Sequence, residues 1–478
     1  MMTDRLPVWQ VLLCKSFPAM DLTYQYTSRF LEPFDPRKFF LERGMMDLDL
    51  ISASGILITL SALFAYGNQR WLKLPETIGL MVMALIFSLL LVVAGLVNPI
   101  VFQAAKSLMQ QIDFNKTLMH GMLGFLLFAG ALHVKLGDLA NQKWVIAVTA
   151  TVGVIGSTFI VGGIAWCVLA LLGGQVPWIY CLLFGALISP TDPISVLGIM
   201  KKLGAPKSLT TKMAGESLFN DGVGVVVFLV ILEMASGSAD FTFSQIGMLF
   251  FKEVLGGVAL GLLLGCTAYY FHSTVENERV EILVSLAVVA GGYPLALALH
   301  ISGPIAMVVA GLLIGNHGRS HAMGDEVRQQ VDTLWELIDE ILNAVLFVLL
   351  GLEILVLAWR SQFLIAGLLM IPTVLLARLL TIGMAIAMLQ RFQTFSPKVV
   401  QILTWGGLRG GISVALALSI PLGLDEGVGG STLPVRDLIL AMTYVVVIFS
   451  IIVQGLTIGP YIRKSLSLTT PPIAGKSL

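Results

Sequence analysis

Charge is what this sequence has little of. Only 12% of its 478 residues are Asp, Glu, Lys or Arg, whereas 56% are hydrophobic. Soluble domains carry about 25% charged residues, so this composition excludes an ordinary soluble protein. Basic and acidic residues balance at 29 each, and a net charge of zero gives no indication of nucleic-acid binding.

Cysteine is scarce as well. Cys14, Cys167, Cys181 and Cys266 have no motif spacing, and three of the four lie in apolar runs. Such a cysteine is more often a small buried hydrophobe than a disulfide partner or a metal ligand. The sequence therefore predicts no cofactor.

Long apolar runs are what the sequence has in abundance. About 20 apolar residues cross the hydrocarbon core of a membrane as a helix. Such runs recur along almost the whole chain, which predicts an all-α polytopic protein with about 13 transmembrane helices in contact with lipid. The predicted spans are 50–67, 76–96, 117–133, 145–172, 178–200, 213–234, 247–271, 281–299, 303–315, 336–357, 363–390, 398–420 and 437–461.

The distribution of Lys and Arg in short loops predicts the orientation. The loop at 201–212 carries four lysines and is expected in the cytoplasm, whereas 173–177 and 235–246 carry no Lys or Arg. Alternation then places the amino end outside and the carboxyl end inside. The loop with Lys106 and Lys116 falls outside, a mild exception.

The first 44 residues fit this orientation poorly. They carry six basic residues that would lie outside the membrane, and they lack the pattern of a signal peptide. A chain begun at Met45 or Met46 would have a short acidic external end. We therefore predict an extension over 1–44 that is not translated or is disordered, a transmembrane domain over 45–465, and a short cytoplasmic tail over 466–478.

The first chemical motif is GALISPTDPISVLGIM, residues 185–200. Pro190 and Pro193 each remove a backbone donor and disfavour helix in the preceding residue. An unwound stretch within a membrane is tolerated where it lines a cavity or is buried in protein. Oxygen ligands suited to a small cation are offered there by Ser189, Thr191 and Asp192. The alternative is a kinked helix that Asp192 caps.

The second motif is GESLFNDGVG, residues 215–224, directly before an apolar run. On a helix, Ser217 and Asp221 share one face, and Glu216 and Asn220 form a second pair on the neighbouring face. Glu216 and Asp221 lie about 140° apart, which argues against one shared carboxylate dyad. Inserting an acidic side chain at the centre of a membrane helix costs about 2.5–3.5 kcal/mol of free energy, so such an acid indicates a functional site.

The third motif is TWGGLRGGISVALALS, residues 404–419, in which four glycines surround Arg409. Glycines permit non-helical backbone or close helix contact. A buried arginine requires a carboxylate partner. We expect that partner to be Glu216, because Asp221 faces elsewhere.

Weaker candidates are scattered ionisable or amide side chains: Glu340, Asn343, Arg378, His300, His317, His321, Glu353, His120 and His133. The first three could line a pathway, and the histidines at 300, 317 and 321 could titrate near neutral pH. For all of them we favour ordinary roles at loop ends or in interhelical hydrogen bonds.

The two interrupted spans are the fifth and twelfth of thirteen. Broken helices at corresponding places in two halves indicate an inverted-repeat transporter with a site near the membrane midplane. A separation of seven spans would invert the second repeat, as such a fold requires.

At these residues the chain closely resembles the monovalent cation:proton antiporters of the sodium/proton exchanger kind, especially their bacterial members. The likeness extends from about residue 50 to 460, and SPTDPISVLGIMKKLGAPKSLTTKMAGESLFNDGVGVVVF and TWGGLRGGISVALALS are its most specific blocks. It implies a homodimer in the cell (inner) membrane. Each protomer would have a dimerisation domain and a six-helix core in which two unwound helices cross, and the core would move like an elevator.

The resemblance also implies site residues. The positions that match the family's cation and proton site are Asp221, Asn220, Ser217, Thr191 and Asp192. Glu216 and Arg409 match its structural ion pair, in agreement with the helical faces. Many relatives have an acid in the third span after LLF, where this chain has Ala129.

The sequence thus predicts a sodium/proton antiporter that is not an enzyme, in which Na⁺ (or K⁺ or Li⁺) and H⁺ compete for Asp221. Asn220 leaves one exchanging acid in the pair, which favours electroneutral exchange provided that Asp192 stays charged. The alternatives are a potassium/proton antiporter and a sodium-coupled solute symporter on the same fold. A third is an intramembrane aspartyl protease with Asp192 and Asp221 as its pair, although the prolines crowd one aspartate.

Overall fold

The computed structural model describes residues 50–111, 114–192, 194–236, 243–275, 277–318, 325–357, 360–393, 395, 398–421 and 434–466. Every regular element among them is helical, which confirms the all-α prediction. The extension predicted over 1–44, the tail beyond 466, and Pro193 lie outside the described residues.

The helices are numbered here in chain order. They are α1 Leu50–Gly67, α2 Glu76–Val97, α3 Pro99–Gln111, α4 Phe114–Lys116, α5 Leu123–Leu132, α6 Leu136–Asn141, α7 Lys143–Ala150, α8 Val152–Leu171, α9 Trp178–Ile188, α10 Ile194–Lys202, α11 Lys207–Ala235, α12 Phe243–Thr274, α13 Glu278–Ala298, α14 Gly303–Leu313, α15 Asp325–Leu352, α16 Ser361–Leu389, α17 Val399–Gly406, α18 Gly411–Leu418, α19 Val435–Phe449 and α20 Gly455–Ser465. Wider π-helical turns occur at Asn68–Leu72, Thr117–Met122, Ile314–Gly318 and Ser450–Gln454, and a 3₁₀ turn at Glu353–Leu355.

Seven continuous helical segments of the described chain are long and apolar enough to cross a membrane: Glu76–Val97, Lys143–Leu171, Lys207–Ala235, Gly247–Thr274, Glu278–Ala298, Ser361–Leu389 and Val435–Ser465. Shorter apolar helices occur at Thr117–Leu132, Trp178–Ile188 and Gly303–Asn316. The polytopic architecture is therefore confirmed, whereas the count of thirteen spans stays a prediction.

Two helices differ from the hydropathy pattern. The sequence predicted a loop where α3 lies, because Gln, Lys and Ser interrupt its apolar residues, yet α3 forms a helix that packs on α2. Helix α15 begins at Asp325, before the predicted span at 336. Its first turns carry charged residues. These residues fit a helix but lower the mean hydropathy, so the predicted span began later.

Close packing fixes the first broken helix. Helix α9 lies against α8, where a Cβ at Gly162 would come within 3.0 Å of the Leu182 Cα and a Cβ at Gly185 would overlap the Thr158 carbonyl. Small residues allow membrane helices to approach in this way. A buried apolar cluster then joins α9 to the later helices through the fully buried Phe184, Phe347 and Tyr444.

Candidate functional site

Two unwound segments meet at the centre of the site. Helix α9 ends at Ile188 and α10 begins at Ile194, while α17 ends at Gly406 and α18 begins at Gly411. The Asp192 N–H donates to the Leu408 carbonyl at 2.8 Å in an isolated antiparallel bridge. This confirms the unwound segments that the proline and glycine motifs predicted, and the crossing of the two helices that the family resemblance implied.

Glycine makes the crossing possible at Gly410. A Cβ at this position would lie only 2.6 Å from the Asp192 Cβ. The backbone there is extended, with φ at −121°, so the need for glycine is steric. The second unwound segment can therefore approach the first only because this residue has no side chain.

Arg409 closes the open end of α9. Its Nη1 donates to the carbonyl of Ser189 and, at 3.0 Å, to that of Pro190. Its own N–H donates to the Ser450 hydroxyl at 2.8 Å, in a π-helical turn of the last span. The last carbonyls of a helix lack intrahelical partners and carry partial negative charge, so a buried guanidinium compensates them.

Helix α11 contacts the same unwound segment through its polar residues. The Asn220 Nδ2 donates to the Thr191 hydroxyl at 2.8 Å, and the Thr191 N–H donates to the Asn220 Oδ1 at 3.3 Å. The Ser217 hydroxyl lies 3.0 Å from the Thr191 hydroxyl. All three side chains are buried. The structure thus brings together Thr191, Ser217 and Asn220 as the sequence predicted.

Asp221 lies beside this cluster, at the wall of a cavity of about 460 Å³ that Thr191 and Asp192 also line. The Asp221 side chain is buried, and its Oδ1 has no hydrogen-bond partner among the described residues. A buried carboxylate without partners is costly unless it binds a proton or a cation. Asp221 is therefore a candidate site for either one.

Arg409 was predicted to be the partner of Glu216, and this prediction is wrong. The Glu216 carboxylate pairs with Nη1 of Arg378 on α16, both side chains being buried. Nη2 of Arg378 also donates to the Leu403 carbonyl at 3.3 Å. Arg409 is engaged with the carbonyls at the end of α9 instead. The sequence could not distinguish the two arginines, because both lie in apolar spans.

The division of α11 into faces is correct for the pair Ser217 and Asp221 and wrong for the pair Glu216 and Asn220, whose two side chains have different partners. Ser217 faces Thr191 and Asp221 faces the cavity, while Glu216 turns away to Arg378. Asn220 was assigned to the face of Glu216, yet its amide binds Thr191. An amide is long enough to reach a neighbouring segment from the boundary between two faces.

The structure places the weaker candidates in several different environments. Asn343 and His133 line the cavity, and the Nδ1 of His133 lies 2.8 Å from the Ala129 carbonyl. Arg378 makes the interhelical contacts described above. Glu340 and His300 are exposed, and Glu353 is buried in the 3₁₀ turn. The side chains of His120 and His317, and the whole of His321, lie outside the described residues.

Four polar residues of the cavity wall were not predicted from the sequence: Lys201, Glu336, Asp339 and Ser413. The available signal was the spacing of Glu336, Asp339 and Asn343, which puts them on one face of α15. Ala129, where many relatives have an acid, also lies in the cavity wall. The carboxylates of this cavity therefore come from Asp192, Asp221 and α15.

Comparison with known proteins agrees with this architecture. A sequence model described as the transmembrane sodium/hydrogen exchanger matches residues 58–464. The chain is 51% identical over 424 residues to the Na(+)/H(+) antiporter NhaP of Pseudomonas aeruginosa, across 87% of this chain and 96% of that protein. It is 34% identical over 402 residues to the Na(+)/H(+) antiporter NhaH of Halobacillus dabanensis, across 83% and 93% of the two.

A solved structure has the same fold. The sodium proton antiporter MjNhaP1 from Methanocaldococcus jannaschii superposes with a TM-score of 0.69 over 88% of this chain and 99% of that one. The two sequences are 20% identical, so this likeness concerns the fold alone.

Proposed function

The chain belongs to the sodium/hydrogen exchanger family, and from that premise we propose that a sodium ion and a proton compete for the Asp221 carboxylate. Sodium/proton antiport by a multi-pass protein of the cell membrane is the activity of the chain, since a relative with this activity in its name is 51% identical over nearly its whole length. The residues and the mechanism are the proposal.

One observation carries it. The buried Asp221 carboxylate faces the cavity, and its Oδ1 has no partner among the described residues. Desolvation disfavours the empty, charged state, which binding of either H⁺ or a cation relieves. Since one carboxylate cannot hold both at full strength, each ion displaces the other.

The surrounding oxygens complete a cation site. Thr191 and Ser217 present hydroxyls next to Asp221, and the Asp192 carboxylate lines the same cavity. Hard oxygen ligands suit a small cation such as Na⁺. We propose these four side chains as the cation ligands, with Asn220 fixing Thr191 through two hydrogen bonds.

Exchange is proposed to be electroneutral. Asn220 is a neutral amide, so Asp221 is the one group of this pair that changes its proton. With Asp192 charged throughout, one Na⁺ leaves for each H⁺ that enters, and the loaded site has the same charge in both directions. Glu216 with Arg378, and Arg409 with the end of α9, then act as the scaffold of the crossing.

The movement and the assembly are further parts of the proposal. The crossing is expected to move as one body past a fixed dimerisation domain, which would expose Asp221 to each side in turn. A homodimer would anchor that domain in the lipid. The support for both is the resemblance of the two specific motifs to the family.

The test is a pH-dye assay in everted vesicles, with Na⁺, K⁺ or Li⁺ added in separate experiments. We expect Na⁺ to release the proton gradient in the wild type, and Asp221→Asn to abolish that response while the protein remains folded by size exclusion and thermal unfolding. Asp437→Asn, a change of an acid on α19 whose side chain is 40% exposed, is the control and should exchange normally. Exchange by folded Asp221→Asn protein would refute the mechanism, and a response to K⁺ alone would favour potassium/proton exchange.

A further inference from the structure

The cavity that leads to Asp221 is far larger than one cation requires. Its volume is about 460 Å³, whereas a water occupies roughly 30 Å³ of liquid. The space therefore accommodates on the order of ten waters, and a cation can enter it hydrated. The ion must lose that water before Asp221 and its neighbours can hold it. Polar groups in the cavity wall can therefore bind the cation on its way to Asp221.

One wall presents a polar stripe of α15. Glu336, Asp339 and Asn343 all line the cavity, at spacings of three and four residues that put them on one helical face. Burial increases along the stripe, from the exposed Glu336 through the half-buried Asp339 to Asn343, which is 3% exposed. The stripe therefore runs inward from the cavity mouth.

The deepest residue of the stripe has spare hydrogen-bonding capacity. The Asn343 amide lies one turn from the Asp339 carboxylate and interacts with it. Neither amide atom, however, completes a hydrogen bond of ordinary geometry among the described residues. An amide oxygen in this position can accept a cation or a water from the cavity.

A second helix in the cavity wall gives an independent indication. Ser413 on α18 is 1% exposed and lines the cavity, and its hydroxyl has no partner within the described chain. Other buried hydroxyls, such as Ser61 and Thr149, donate to a carbonyl of their own helix. Ser157 and Thr404 also lack a partner among the described residues, but they do not line this cavity. A buried hydroxyl without a hydrogen-bond partner destabilises the protein, and a ligand in the cavity would supply the missing partner.

We propose that Asp339, Asn343 and Ser413 form a second, weaker cation station between the cavity mouth and Asp221. It holds a partly hydrated monovalent cation through a carboxylate, an amide oxygen and a hydroxyl. The station raises the local cation concentration next to Asp221 and takes no part in the proton exchange itself. This inference rests on the proposed function, because it assigns the route by which the cation reaches Asp221.

The chain offers a matched control in the next residue. Glu340 carries the same charge on the same helix but is exposed and absent from the cavity lining. In vesicles, Asp339→Asn should raise the half-saturating Na⁺ concentration by about threefold to tenfold and leave the maximal rate within about twofold. Glu340→Gln should leave both unchanged, and Asp339→Glu should restore most of the affinity.

Three results would overturn the station. These are an unchanged half-saturating concentration in Asp339→Asn, an equal rise in Glu340→Gln, or a fall of the maximal rate without a change in affinity. If Asp339→Asn does not fold, Ser413→Ala tests the station instead. It should raise the half-saturating Na⁺ concentration about twofold to threefold. An unchanged value would refute the proposal. Asp221→Asn separates the two proposals, because exchange by that variant contradicts the mechanism whatever Asp339 does.

Discussion

The Asp192 N–H donates to the Leu408 carbonyl at 2.8 Å, and this bond joins two segments that lie in different halves of the chain. Each segment has left the helical pattern and lost intrahelical partners for its backbone. Backbone groups in a membrane must be satisfied within the protein. The bridge satisfies one pair, and Arg409 satisfies the carbonyls of Ser189 and Pro190. The crossing is thus held by backbone groups, with one arginine as its main side-chain contribution.

Gly410→Ala should disrupt the crossing. The added Cβ would lie 2.6 Å from the Asp192 Cβ, so one unwound segment has to shift. Overpacking of this kind costs about 1–3 kcal/mol, and we expect lower thermal stability together with a large loss of Na⁺-dependent proton release. Gly198→Ala on α10 is the control, since no atom of the described chain lies within 4 Å of its added Cβ. Full activity of Gly410→Ala would show that the close contact between the two unwound segments is not required.

Glu216→Gln should destabilise the protein because it leaves the buried guanidinium of Arg378 uncompensated. Removing one partner of a buried ion pair costs about 3–5 kcal/mol. A double-mutant cycle with Arg378→Gln, measured by thermal unfolding in detergent, should give a favourable coupling between the two side chains. The same cycle with Arg409→Gln should give a smaller coupling. A larger coupling to Arg409 would mean that the ion pair is the one expected from the sequence.

Ser450→Ala tests the support of Arg409. It removes the hydroxyl that accepts the Arg409 N–H and leaves a buried donor without that partner. The expected loss is about 1–3 kcal/mol of stability. Ser236→Ala serves as the control, because Ser236 is exposed and donates to its own helix. Equal unfolding temperatures of the two variants would mean that water replaces the lost acceptor.

Exchange should be independent of the membrane potential. If one Na⁺ moves for one H⁺, no net charge crosses the membrane in a cycle. Transfer of one net charge would couple the cycle to about 2.3 kcal/mol per 100 mV. In proteoliposomes, a potassium diffusion potential set with valinomycin should leave the initial rate of Na⁺-dependent alkalinisation unchanged. A rate that follows the sign of the potential would refute electroneutral exchange.

Most of the fold could be predicted because it follows from local chemistry. Two prolines three residues apart, Pro190 and Pro193, disfavour continuous helix, and the glycines around Arg409 permit a second interruption. The position of Asp221 next to an apolar run is enough to indicate a functional acid, because a carboxylate in lipid is costly. Helix α3 was missed because its polar residues lower the hydropathy of a segment that nevertheless folds as a helix.

The sequence by itself determined the membrane class, the two broken helices, the separation of Glu216 from Asp221, and the family. Each depends on composition, on residues adjacent in the chain, or on the angle between side chains of one helix. Tertiary structure alone decided that Glu216 pairs with Arg378, that Arg409 closes α9, and that α15 supplies acids to the cavity. A helical angle gives the direction of a side chain relative to its own axis. Which neighbour lies in that direction depends on how the helices pack.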